Sequence, residues 1–113
     1  MTTAKYDIII QQGADFALSM TLTGDTGPVD LTGYTGYSQM RVKKTSSAIA
    51  ATFTIYIDTP LTGDINMAMA NSVTELLAPG RYVYDLQIHK PSDSKVLRLL
   101  EGFVSVSGEV TRI

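Results

Sequence analysis

His89 is the only histidine of this chain, and cysteine is absent. A Ser-His-Asp arrangement would have to be built around it, with an orienting acid on one side and an activated hydroxyl on the other. His89 falls instead on the polar side of an alternating stretch, beside a turn, and reads as a solvated side chain. One imidazole also leaves a transition-metal site short of ligands. Asp58 and Asp64 flank the carbonyl-rich loop 59–63, an oxygen set that would suit calcium. An EF-hand loop needs acids at alternating positions before its glycine and a bidentate Glu after it. That pattern is missing, so these read as turn-forming aspartates. Asp15, Asp30, Asp85 and Glu101 lie on separate segments and define no acid–base pair. Gly24, Gly27, Gly33, Gly36, Gly63, Gly80, Gly102 and Gly108 follow or interrupt strands, and none opens the helix that a phosphate loop requires. The expected protein is not an enzyme and takes no cofactor, no metal and no small-molecule substrate.

The segments that carry these residues have the period of two that marks half-buried strands. Tyr82, Tyr84, Leu86 and Ile88 alternate with Val83, Asp85, Gln87 and His89, and Pro91-Ser92-Asp93-Ser94 reverses the chain into a second strand over 99–106. Residues 15–23 alternate in the same way, with Phe16, Leu18, Met20 and Leu22 on one face. Further strands are expected over 6–10, 37–43, 51–57 and 64–69, separated by turns rich in Gly and Pro. The one helical turn is expected over 72–78, with Ser72 as cap, Glu75 completing a capping box and Pro79-Gly80 as the stop. About seven short strands at this spacing predict an all-β fold, an antiparallel two-sheet sandwich. Gly102, inside its strand, predicts a bulge or a close backbone approach.

The chain has 113 residues and is read as a single domain, 1–113. Nine basic against eleven acidic residues leave a net charge of −2, without the basic footprint of a nucleic-acid binder. Behind Met1, taken as the native start, only residues 7–10 form an apolar run, shorter than the roughly 7–15 residues of a secretory signal. No run approaches the roughly 18 apolar residues of a membrane span. Neither nucleic acid nor membrane is therefore an expected partner.

The ordered series Asp15-Phe16, then Val29-Asp30-Leu31-Thr32-Gly33-Tyr34-Thr35, Met40-Arg41-Val42-Lys43, Pro79-Gly80-Arg81-Tyr82-Val83-Tyr84-Asp85-Leu86, Leu100-Glu101-Gly102 and Glu109-Val110-Thr111-Arg112 spans nearly the whole chain. It resembles a family of small bacteriophage virion structural proteins, similar to the N-terminal module of phage baseplate upper proteins. The resemblance implies an immunoglobulin-like or related β-sandwich that is a building block of a particle, assembled in the host cytoplasm and localised to the virion. Its partners would be other virion proteins or further copies of itself. Larger members join this module to a receptor-binding region. A chain ending at Ile113 is then expected to serve as a tail or baseplate adaptor or as a capsid decoration. The alternative is a carbohydrate-binding module for attachment to a host surface, which a strip of exposed tyrosines (Tyr34, Tyr37, Tyr56) would serve.

Tyrosine and arginine dominate interface energetics, which selects Tyr34, Tyr37, Arg41, Arg81 and Arg112 as contact residues. The apolar first segment adds Tyr6, Ile8 and Ile10. That segment is expected either to pair with a neighbouring subunit by strand addition or to form the domain's own first strand.

Overall fold

The computed structural model describes residues 3–111. Arg112 of the expected contact set lies outside them. The chain is mostly β, so the all-β expectation holds. Ten strands form: β1 (Ala4–Lys5), β2 (Ile8–Gln11), β3 (Phe16–Thr21), β4 (Thr23–Gly24), β5 (Gly27–Pro28), β6 (Thr35–Arg41), β7 (Ala51–Tyr56), β8 (Asp64–Met69), β9 (Gly80–Lys90) and β10 (Lys95–Ser107). Short 3₁₀ turns occupy Pro60–Thr62 and Pro91–Asp93.

Eight strands build one curled sheet in the order β1-β10-β9-β6-β7-β8-β3, with β2 also on β10, while β4 and β5 make a small hairpin. Two features correct the expected antiparallel pair of sheets. First, β1 and β2 run parallel to β10, so the sheet is mixed. Second, β7 pairs with β6 through Ala51, Thr52 and Phe53 and with β8 through Thr54, Ile55 and Tyr56. One strand thus joins the two halves of the sheet, which curls over on itself. The inner faces meet in a core of Ile8, Ile10, Met40, Phe53, Met67, Tyr84 and Val104. Phe53 lies at the bend, its ring edge-on to Phe16 at 5.7 Å and to Tyr84 at 6.1 Å, a favourable aromatic geometry.

The helical turn α1 spans Asn71–Thr74, shorter than expected, and Ala70 is its cap residue. The capping box does not form. Asp15, just before β3, accepts from the Asn71 amide at 2.7 Å and satisfies that donor from a distance in sequence. Thr74 is fully buried; its hydroxyl accepts from the Gly13 amide and donates to the Ala14 carbonyl, tying α1 to the β2–β3 turn.

Candidate interaction face

The outward side of β10, β9 and β6 carries the chain's densest set of interacting polar side chains. Register creates it. Gln39 pairs with Asp85, Asp85 with Glu101 and Glu101 with Lys5, so four polar side chains stand in one row across four strands. Like charges directly opposite on neighbouring strands repel, and Asp85 faces Glu101. Arg98 offsets the repulsion from the next row, 3.5 Å from Asp85 and 3.9 Å from Glu101. Lys5 at 3.5 Å and Lys44 at 4.0 Å complete the set around Glu101. From Asp85 the chain of contacts continues: Gln87 donates to it at 3.2 Å, and His89 Nε2 lies 3.2 Å from Gln87 Oε1. The exposed Tyr37 ring packs on His89 at 4.7 Å. A shallow concavity of about 320 Å³, lined by Gln39, Arg41, Lys44, Asp85, Arg98 and Glu101, runs through this row. Three cations, Lys5, Lys44 and Arg98, pair with two carboxylates here, and Arg41 lines the same concavity, the reverse of the chain's overall balance.

The expected contact residues scatter across the molecule. Tyr37, Arg41 and Arg81 do share this face. Arg41 is largely used within the chain, donating to the carbonyls of Ser46 and Ser47 and to Gln39 Oε1, which anchors the β6–β7 loop. Arg81 covers the Phe103 ring at 3.8 Å, a cation–π contact at the rim. Tyr34 is half-buried, packed against the Leu31 cluster, with the Lys90 ammonium 5.7 Å from its ring. Tyr6 is exposed at the break between β1 and β2, and its carbonyl accepts from the Tyr84 hydroxyl.

Ile8 and Ile10 require a correction. Both are buried, facing Val104 and Val106 in the chain's own core, and the outward apolar side chain of β2 is Ile9, 70% exposed. The first segment is the domain's own strand. The close approach expected at Gly102 is also internal, because a Cβ there would meet the Tyr6 carbonyl and the Asp7 carboxylate. Asp7 in turn accepts from the Phe103 amide at 3.0 Å.

Arg98 and Phe103 were not selected from sequence. A register shift between Arg98 and Leu100 breaks the alternation of β10, so a period of two places Arg98 with the inward Leu100. The like-charge pairing of Asp85 with Glu101 follows once β9 and β10 are aligned as a hairpin, and was the signal available.

The other acidic candidates are structural. Asp64 accepts from the hydroxyls of Thr21, Thr62 and Thr59; those bonds, Thr21 first, hold its carboxyl below the usual carboxylate range. Asp30 accepts from the Thr32 hydroxyl and amide, which lowers it likewise and closes a tight turn. Among the described residues no three His, Asp or Glu side chains gather as metal ligands, and no helix is long and apolar enough to cross a membrane. Compared with known protein families and with curated proteins, the chain matches none.

Proposed function

We propose that this chain is a non-enzymatic assembly module of a bacteriophage particle, docking on other virion proteins through the outer face of β10, β9 and β6. The observation that carries the reading is the row Lys5–Glu101–Asp85–Gln39. Placing two carboxylates opposite each other costs stability, and Arg98, Lys5 and Lys44 hold them in a partly exposed groove where a partner's polar groups can exchange with them. Tyr37 and Arg81, at opposite ends of the face, are the residue types that anchor protein interfaces. The sequence resemblance to phage structural proteins supplies the class of partner.

The finer architecture belongs to the same proposal. We read the curled sheet as an immunoglobulin-like sandwich, with β1/β2, β10, β9 and β6 as one layer, β8 and β3 as the other, and β7 crossing between them. Supporting this is Tyr82, near the start of β9, whose hydroxyl donates to the Ala78 carbonyl at 2.7 Å. A tyrosine that bonds back across the corner before the penultimate strand is a recurrent device of such sandwiches.

Quantitative peptide mass spectrometry of washed particles tests the assignment. Copies near those of the major capsid protein would mean shell decoration, and a few per particle would mean tail, neck or baseplate. Absence from particles would refute the virion reading. Within it, a Tyr37→Ala/Arg81→Ala variant should fold normally and be incorporated at least about tenfold less.

A further inference from the structure

The two edges of the curled sheet are treated very differently. At one edge the strand is broken. β1 and β2 are separated at Tyr6 and Asp7, where Asp7 accepts from the Phe103 amide and the Tyr84 hydroxyl caps the Tyr6 carbonyl, and Lys5 adds a charge. Short pieces, irregularity and lysine are the usual means of stopping an edge from pairing with another chain. The other edge, β3, has none of them. It pairs with β8 without a bulge, Phe16 with Met69 through Thr21 with Asp64. Among the described residues, no backbone group of residues 16–20 bonds to anything beyond β8. The sequence from Phe16 to Gly24 holds no charged residue and no proline.

The side chains of β3 add a second observation. Phe16, Leu18 and Met20 point inward and pack on the core, yet each is only partly buried, because no further strand lies beside them. On the outer side stand the small Ala17 and Ser19.

We infer that β3 pairs antiparallel with β3 of a second copy of this chain, about a two-fold axis at Leu18, making one continuous sheet across two molecules. That register sets Phe16 opposite Met20 and Leu18 opposite its own copy on the inner side, covering the half-exposed apolar row. On the outer side it sets Ala17 opposite Ser19. The pairing uses only residues 16–20, and it must, because Leu22 already donates to the Gly63 carbonyl and accepts from the Val29 amide. A second copy is the fitting occupant because the strand is self-complementary in size and polarity. Two acidic chains can also meet here without opposing charges inside the paired stretch. The inference is independent of the phage reading and of the face on β10, β9 and β6, since β3 lies at the far end of the sheet order.

Sedimentation equilibrium on the full chain and two exposed-site variants tests it. Ala17→Lys/Ser19→Lys places lysine opposite lysine twice in the proposed register and should leave a monomer. Ala17→Lys/Ser19→Glu adds equal bulk but places lysine opposite glutamate twice, and should retain the dimer. Circular dichroism on both variants establishes that each is folded. A wild-type chain that stays monomeric at about 1 mM overturns the inference, since weaker association is not a specific interface. So does a dimer that survives the double lysine. Loss of the dimer in both variants overturns the Leu18-centred pairing and the proposal with it.

Discussion

Tyr84 shows how one side chain can close a fold. It is buried among Ile8, Phe53 and Val104, and its hydroxyl reaches out to the Tyr6 carbonyl at the break in the first strand. Burial, reinforced by the charge of Asp7 and by Tyr6, pushes its pKa up to about 12 from the ordinary 10. The phenol is thus held protonated in the folded state. Its contribution to stability is whole below pH 10 and is lost as the pH climbs through about 12. Denaturant titrations between pH 9 and 12 should show that decline, and Tyr84→Phe should flatten Tyr84's share of it while costing about 1 kcal/mol at neutral pH for the lost hydrogen bond. An unchanged alkaline slope in the variant would mean that other groups govern it. Thr74 is the second residue of this kind. Thr74→Val keeps the shape but leaves the Gly13 amide and Ala14 carbonyl without their hydroxyl partner, which should lower stability by roughly 1–3 kcal/mol in chemical denaturation.

Among the elements, the first strand changes the meaning of a truncation. β2 supplies two buried isoleucines and a parallel ladder to β10, so removing residues 1–10 takes out part of the core as well as an edge. Burying a large aliphatic side chain contributes about 1.5–3 kcal/mol, and two such losses, with the ladder to β10, are comparable with the lower end of the roughly 5–15 kcal/mol that holds a domain folded. The deleted chain should give the circular dichroism of an unfolded protein. A folded truncated domain would show that β10 is stable as an edge. The strand was visible in the sequence as an apolar run; its role was not, because an edge that recruits a partner and an edge that fills a core are both apolar. Burial decided between them. The cap of α1 has the same origin. Ser72 and Glu75 have the spacing of a capping box, yet Asp15 does the work, because the chain brings the start of β3 to the start of the turn.

On the scale of the whole molecule, charge is distributed against its average. A chain of net charge −2 gathers three cations, Lys5, Lys44 and Arg98, around Asp85 and Glu101 on one face and keeps β3 free of charge at the other end of the sheet order. Attraction between exposed ions is screened beyond roughly a Debye length, about 8 Å at physiological salt, and that length shortens as salt rises. Raising the salt from 50 to 500 mM should therefore weaken the proposed docking through the polar face and leave the proposed pairing through β3 unchanged or stronger. Binding to extracted particle proteins and sedimentation of the free chain measure the two effects separately.

The sequence by itself determined much of the local structure: where the longer strands run, which face of β3, β7, β8 and β9 is apolar, where the Gly and Pro turns fall. Alternation along residues 82–88 and 16–22 is written one residue after another, and side-chain direction in a strand needs nothing more. The DLTGY turn at Asp30, with its hydroxyl and amide from Thr32, is equally local. Tertiary structure alone decided the relations between distant segments. These are the parallel placing of β1 and β2 on β10, the sharing of β7 between β6 and β8, the inward turn of Ile8 and Ile10, and the alignment that sets Asp85 against Glu101 under Arg98. Each depends on which strand lies beside which. That choice is made by the joint packing of many half-apolar faces, and no single segment's pattern contains it.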